Sequence, residues 1–141
     1  MRDSDITLLV KEIAGQTLVL DTLRLCENKC IDDKLAKEIS LIFESCASLK
    51  HLYLNETSIT IKGLKTILKS IHANRNVRTI SVEKCGLSLL GKQGDIVINL
   101  LKDNISLTAL EVTKNVTSLE FMEKLFEEIE LNMLIVKHIF P

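Results

Sequence analysis

Cysteine and histidine are the residue types in this 141-residue chain that could support nucleophilic attack or metal binding. Cys26 and Cys30 are separated by three residues rather than by the two of a Cys-x-x-Cys pair. The histidines, His51, His72 and His138, are scattered along the sequence. Neither arrangement has the spacing of a typical zinc site, and no serine or cysteine lies in a recognisable nucleophile elbow. We therefore predict no catalytic residue and no metal site.

Two further patterns could suggest chemistry. The segment Gly91-Lys92-Gln93-Gly94 is rich in glycine, but it lacks the residue order of a phosphate-binding P-loop and precedes a predicted helix. Glu127 and Glu128 are adjacent carboxylates, which indicates a solvated helix face rather than an acid–base pair. The sequence thus predicts a protein that is not an enzyme and that binds no cofactor.

The overall charge and hydropathy exclude other classes. Lys and Arg together number 18 and Asp and Glu 19, so we expect neither nucleic acid nor a membrane surface as a partner. The polar start, Met1 to Asp5, does not resemble a secretory signal, and no apolar run approaches the roughly 18 residues of a membrane span. We expect an intracellular, cytoplasmic protein in which the thiols stay reduced: Cys26, Cys30, Cys46 and Cys85.

One nine-residue pattern, the repeat line, recurs four times along the chain. It begins at Leu20, Leu49, Val77 and Leu107, with apolar residues at positions one, four and six and Asn, Cys or Thr at position nine. Successive starts lie 29, 28 and 30 residues apart, and a weaker fifth copy begins at Leu131. Regular recurrence at this period predicts an array of structural repeats.

Each position of the repeat line has a physical role. Positions four and six project to one side of a short strand because strand side chains alternate, so we expect them in the core. Leu52, Leu54, Ile80, Val82, Leu110 and Val112 should therefore be buried. Position nine turns the chain away from the sheet, and its side chain should hydrogen-bond the backbone of the turn. That position is occupied by Asn28, Thr57, Cys85 and Asn115.

Between the repeat lines the apolar spacing becomes helical, as at Leu64, Ile67, Leu68 and Ile71. Gly63 and Gly91 occupy the same place in their repeats, where a loop gives way to a helix. The alternation predicts helices at 4–14, 33–46, 61–73, 90–103 and 118–130, and strands at 22–26, 51–55, 79–83, 109–113 and 133–137. A helix between each pair of strands favours a parallel, curved sheet.

These repeat lines resemble the ribonuclease-inhibitor-like subfamily of leucine-rich repeats. Lys34 and Phe121 depart from the pattern, where a glycine would begin the helix. The resemblance implies an α/β solenoid, a segment of right-handed horseshoe with four or five parallel strands and its helices on the convex face. The single domain, 1–141, would comprise an N-terminal helical segment 1–19, repeats 20–48, 49–76, 77–106 and 107–130, and a partial repeat 131–141.

The resemblance implies a fold shared by ribonuclease inhibitor, Ran GTPase-activating protein, tropomodulin-like actin regulators and nucleotide-binding immune receptors. A solenoid offers an extended surface of little depth, which favours a protein partner. We expect a non-enzymatic protein–protein interaction module that uses the concave sheet face. The alternatives are a GTPase regulator of the Ran GTPase-activating type and a structural or ligand-sensing segment of a larger protein.

Side chains beside the apolar positions of the repeat line should form the binding surface. Tyr53 is the only tyrosine and has basic neighbours, and Tyr and Arg are enriched at energetic hot spots. We expect Tyr53, Ser81 and Glu111 to face solvent. The candidate partner-binding residues are Arg24, Lys50, His51, Tyr53, Arg78, Ser81 and Glu111. The apolar fifth strand, 133–137, would leave an unpaired edge, which we expect to be covered either by self-association or by further repeats.

Overall fold

The computed structural model describes residues 2–16, 19–72 and 74–139, and within them the chain forms five helices and a four-stranded sheet. The first four predicted helices and the first four predicted strands are present, with ends within three residues of the expected ones. The helices are Asp3–Ala14 (α1), Asp33–Ser45 (α2), Ile61–Ser70 (α3), Gly91–Lys102 (α4) and Leu119–Ile139 (α5). The strands are Thr22–Arg24 (β1), His51–Tyr53 (β2), Thr79–Ser81 (β3) and Ala109–Glu111 (β4). Residues 1, 17 and 18 of the predicted N-terminal segment, residue 73 of the third helix and residues 140–141 of the partial repeat lie outside the described residues.

The sheet is parallel throughout, with the strands in sequence order β1-β2-β3-β4. The middle residues of the strands, Leu23, Leu52, Ile80 and Leu110, pair in register and are buried. Each helix packs against the next, and the helices and strands share one apolar core. All six residues predicted to be buried at positions four and six are buried, which confirms the α/β architecture and the register of the strands.

Helices α2 and α3 begin at polar residues that satisfy their first amide groups. The Asp32 carboxylate accepts hydrogen bonds from the amides of Lys34 and Leu35 at 3.1 and 3.0 Å, so α2 begins there. The Thr60 hydroxyl accepts from the amide of Lys62 at 3.2 Å and caps α3. Such side chains replace the bonds that a helix cannot make at its first turn, which fixes where the chain leaves the loop.

The position-nine side chains hydrogen-bond backbone carbonyls at their turns, as predicted, and we call this set of bonds the turn ladder. The Asn28 amide donates to the Leu25 carbonyl at 3.0 Å, and the Thr57 hydroxyl donates to the Leu54 carbonyl at 2.8 Å. The Cys85 thiol donates to the same Leu54 carbonyl at 3.2 Å. The prediction that Cys85 lies in its turn with its sulfur beside backbone polar groups is confirmed. These bonds satisfy carbonyl groups at the ends of the strands, where the sheet has no further pairing.

The residue before the ladder, at position eight, adopts a left-handed backbone conformation in each of the four repeat lines. The φ angles are 63° at Glu27, 58° at Glu56, 52° at Lys84 and 59° at Lys114. This conformation costs a non-glycine residue roughly 1–2 kcal/mol. Its recurrence shows that the turn geometry, and not the residue type, sets the backbone at this position.

The glycine that permits close packing at a helix start is not the one that the spacing paired with Gly63. A Cβ on Gly63 would collide with side-chain atoms of Asp33 and Ile59. In α4 the corresponding collision is at Gly94, where a Cβ would meet the Leu89 carbonyl and lie 2.9 Å from the Phe121 ring. Gly91 instead has a φ of 54° and open space around its Cα. Both Gly63 and Gly91 lie at a helix start, as predicted, but the close approach to neighbouring atoms occurs at Gly63 and Gly94.

The predicted fifth strand, 133–137, is wrong, because α5 continues through it to Ile139. A helical stripe of Phe121, Leu125 and Ile129 leads to Asn132, and no glycine or proline interrupts the helix. Asn132 is buried, and its amide donates to the carbonyls of Asn104 and Leu107 at 2.9 and 2.8 Å. These bonds hold the helix against the loop before β4. Because residues 133–137 are helical, the C-terminal strand on which the predicted self-association depended is absent.

Candidate protein-binding face

The first and third residues of each strand point to the side of the sheet opposite the core, because strand side chains alternate. We call this side the outer face. The pairing register aligns it in two rows, Thr22–His51–Thr79–Ala109 and Arg24–Tyr53–Ser81–Glu111. Residues one strand apart in a row are separated by about 4.8 Å. The sheet therefore brings Arg24, His51, Tyr53 and Glu111, all candidate residues, onto one surface.

Arg24 and Tyr53 form the clearest feature of the outer face. The guanidinium carbon of Arg24 lies 4.0 Å from the centre of the Tyr53 ring, and the arginine is exposed while the tyrosine is half-buried. A cation over an aromatic face at an exposed site contributes about 0.5–1 kcal/mol. The contact holds both side chains in one arrangement before any partner arrives, which lowers the entropy that binding would cost.

Lys50 and His51 extend this feature along β2. The Lys50 ammonium lies 4.0 Å from the Asp21 carboxylate, and because both side chains are more than half exposed this pair stabilises the fold little. The His51 Nδ1 atom lies 3.0 Å from the Thr79 hydroxyl, which fixes the ring against β3. We call the four residues Arg24, Lys50, His51 and Tyr53 the cationic patch.

The Arg78 guanidinium is hydrogen-bonded to nearby backbone carbonyls. Its Nη1 group donates to the backbone carbonyls of Arg75 at 2.9 Å and Val77 at 3.3 Å, and the side chain is half-buried. The Arg78 carbonyl in turn accepts from the amide of Ala109 at 3.0 Å. Arg78 therefore adds positive charge beside the patch while its guanidinium is held by the loop that precedes β3.

The prediction that Ser81 faces solvent is wrong, because the residue is fully buried. Its hydroxyl donates to the Asn55 side-chain carbonyl at 2.7 Å, and the Glu83 amide donates to the same oxygen at 2.8 Å. Asn55, which follows β2, thus folds over the end of β3 and covers the serine. The predictions for Tyr53 and Glu111 hold in part, since both are half-buried.

Sequence reasoning overlooked Asn55 as an organising residue of the outer face. It lies at position seven of its repeat line, where the other three lines have Cys26, Glu83 and Thr113. The Asn55 side-chain oxygen accepts from both the Ser81 hydroxyl and the Glu83 amide, which the residues at this position in the other repeat lines do not do in the described structure. The asparagine at this position, which no other repeat line has, was the feature of the sequence that could have identified this role.

The described part of the chain shows little that could support catalysis. It contains no cluster of three or more His, Cys, Asp or Glu side chains that could hold a metal ion. All four cysteines are free thiols, and burial together with the nearby Asp3 carboxylate raises the pKa of Cys30, which disfavours its thiolate. None of the described helices is long and apolar enough to cross a membrane.

Comparison with known proteins identifies the fold. No family model and no curated protein sequence matches the chain. Among solved structures, actin-binding site 2 of leiomodin-1 matches with a TM-score of 0.82 and 18% identity, over 97% of this chain and 77% of that one. The tropomodulin C-terminal domain of Caenorhabditis elegans matches with a TM-score of 0.59 and 13% identity, over 97% and 96% of the two chains. At such low identity the likeness shows the fold alone: this chain has an α/β fold like that of the leiomodin and tropomodulin domains.

Proposed function

We propose that this chain is a non-enzymatic, intracellular protein-binding module, built as a leucine-rich-repeat solenoid of the ribonuclease-inhibitor-like type. Four repeat lines with one strand each, a helix after every strand and a parallel register support the solenoid. In such a solenoid the outer face, which is the side of the sheet opposite the core, would be the concave surface. Fold likeness to a protein-binding domain, at a TM-score of 0.82, supports the binding role.

The proposed partner is actin. The leiomodin-1 domain is named as an actin-binding site, and this chain matches it over 97% of its own length. Fold does not by itself fix function, so the proposal also depends on a surface suited to a protein partner. The cationic patch is the observation that carries it.

The cationic patch has the properties of a binding hot spot. It combines an arginine and a tyrosine, the types enriched at such sites, in an ordered stack. Lys50 and Arg78 add two positive charges and Asp21 one negative charge beside the stack, and the resulting net positive charge favours an acidic partner surface and speeds encounter. Glu111 lies at the far end of the same row, three strands from the arginine of the stack, and is not part of this patch. Ser81 is buried and has no part in the contact.

Cosedimentation with filamentous actin and titration of monomeric actin test this proposal. The intact chain should bind at least one of the two forms. Combining Arg24→Glu with Tyr53→Ala should weaken binding about 30-fold or more, the effect of losing a hot spot worth 2 kcal/mol. Lys37→Glu, the same kind of charge change at an exposed site on α2, is the matched control and should leave the affinity unchanged.

Two outcomes would contradict the proposal at different points. If the unmodified chain binds neither form of actin, actin is not the partner. If it binds but the double variant, still folded by circular dichroism, binds equally well, the patch is not the contact surface. Of the alternative functions, no contact in the described structure favours a GTPase regulator. If the chain accelerated GTP hydrolysis by a small GTPase, a GTPase-regulating function would be supported in place of the one proposed here.

A further inference from the structure

An apolar groove runs between the free edge of β4 and helix α5. We call it the edge groove. A cavity of about 350 Å³ lies between Leu110 and Val112 on the sheet side and Met122, Phe126 and Ile129 on the helix. Phe126 is 60% exposed although it points into this cavity, and a second apolar cavity of about 520 Å³ continues along α5. Contiguous exposed apolar surface of this kind is a feature of interaction sites.

The sheet edge above the groove has backbone donors arranged for a further parallel strand. The position-six amides of Leu25, Leu54 and Val82 each donate to a carbonyl of the following strand, at 2.9, 2.8 and 2.9 Å. Val112 is the next residue in this series, and within the described residues its amide has no backbone acceptor. A strand beside β4 would supply the missing carbonyl.

Position eight repeats the pattern one step along the chain. The amides of Glu27, Glu56 and Lys84 donate to carbonyls of the following repeat line at 2.8, 2.9 and 3.1 Å. The Lys114 amide continues the series, and in the described part of the chain it too lacks a backbone acceptor. The Thr108 carbonyl likewise corresponds to carbonyls that accept two amides in each earlier repeat. Two donors and one acceptor therefore stand in parallel-strand register.

The charges beside the edge specify the sequence of such a strand. At position eight, the Lys84 ammonium lies 3.3 Å from the Glu56 carboxylate of the preceding repeat line, so neighbouring side chains at this position do form ion pairs. Lys114 would meet an acidic residue there. At position five, Glu111 would meet a basic residue about 4.8 Å away. Positions four and six would place apolar side chains in the edge groove.

We propose that the edge groove binds an extended segment of a partner protein as a parallel fifth strand. The segment has the sequence pattern apolar–basic–apolar–any–acidic. Main-chain hydrogen bonds would provide affinity and the alternating side chains specificity, as in other cases of strand addition. This surface is separate from the cationic patch, so its occupation adds a second partner site to the module.

The chain itself contains one segment with this pattern, Leu23-Arg24-Leu25-Cys26-Glu27, in and after β1. A folded second copy does not supply it to the groove. In the folded chain α1 packs against α2 just as each helix packs against the next, so α1 occupies the place beside β1 that α5 would need. The sequence nevertheless provides a defined probe.

The test is a titration of the ¹⁵N-labelled full chain with a capped peptide that has the sequence of residues 20–28, with serine in place of Cys26. The control peptide exchanges the two charges, with glutamate in place of Arg24 and arginine in place of Glu27. The first peptide should bind with a Kd below about 1 mM and shift the amide resonances of Val112 and Lys114. The control should bind at least tenfold more weakly.

Variants of the chain distinguish strand addition from nonspecific adhesion. Combining Glu111→Lys with Lys114→Glu should reverse the preference between the two peptides, and Phe126→Glu should remove binding. The Arg24→Glu and Tyr53→Ala double variant should bind the peptide normally, which separates this result from the actin experiment. Equal affinity for the two peptides, shifts confined to other surfaces, or no binding would overturn the proposal. Concentration-dependent shifts of Val112 without peptide would point to a second copy instead, and would also overturn it.

Discussion

Removing the Asn115 side chain tests whether the turn ladder joins the repeats energetically. Its amide donates to the carbonyls of Val82 at 2.8 Å and Val112 at 3.0 Å, and its carbonyl accepts from the amides of Cys85 at 3.1 Å and Leu87 at 3.0 Å. Each such bond contributes about 0.5–1.5 kcal/mol net. Asn115→Ala should therefore lower the free energy of unfolding by about 4 kcal/mol.

Asn28 provides a matched control at the same position of the first repeat line. Its amide bonds only to its own turn, at the carbonyls of Leu25 and Cys26, both at 3.0 Å. Asn28→Ala should cost about 2 kcal/mol. With a urea dependence of about 2 kcal/mol per molar, the midpoints should fall by about 2 M and 1 M respectively.

Hydrogen exchange supplies a second measurement, because Asn115→Ala should expose the amides of Cys85 and Leu87 while leaving β1 protected. If the two variants lose equal stability, or if Asn115→Ala costs less than about 1 kcal/mol, the bonds between repeats do not contribute as argued. The turn ladder would then be a consequence of the fold and not one of its causes.

Three further predictions follow from burial, close packing and thiol chemistry. Leu54→Ala, at a fully buried site, should lower the free energy of unfolding in urea by about 2–5 kcal/mol. Leu119→Ala, at a site that is 76% exposed, should lower it by less than about 0.5 kcal/mol. Equal losses would contradict the core assignment. Gly94→Ala should lower the melting temperature more than Gly15→Ala, because a Cβ at Gly94 would collide with the Leu89 carbonyl and the Phe121 ring, whereas one at Gly15 would make ordinary contacts of 3.6 and 3.7 Å. Thermal melts that rank the two variants in reverse would refute the close approach. Burial raises the pKa of Cys30, so alkylation of this thiol should reach half its maximal rate at a higher pH than in a short peptide; an unshifted or lower midpoint would exclude the burial effect.

Much of the fold could be predicted because strand and helix impose different periods on the same chain. Leu52 and Leu54 are both buried, as alternation at positions four and six requires, and Ile67 and Leu68 are buried in α3 as a helical stripe requires. Thr57 hydrogen-bonds its turn because the geometry at position nine demands a donor. These features depend on local spacing, which a single sequence contains in full.

The errors arose where a short pattern had two physical interpretations. Leu131, Leu134 and Val136 have the spacing of a repeat line, yet Leu131 and Leu134 lie exposed on α5. The helix prevails because Phe121 and Leu125 begin a stripe that ends in the buried Asn132, which satisfies two carbonyls at once. Spacing could not reveal those partners, since they lie 28 and 25 residues away along the chain.

The outer face was harder to predict because the fold places few demands on it. Positions four and six must be apolar in every repeat, whereas position five holds Arg24, Tyr53, Ser81 and Glu111 in succession. Because of this variation the charge changes sign along the row, from a cation at the β1 end to a carboxylate at the β4 end. A partner on the cationic patch and an added strand beside Glu111 would thus meet opposite charges at the two ends of one row. Because these ends lie three strand spacings apart, about 14 Å, and water and salt screen charges over about 8–10 Å, each site should bind almost independently of the other.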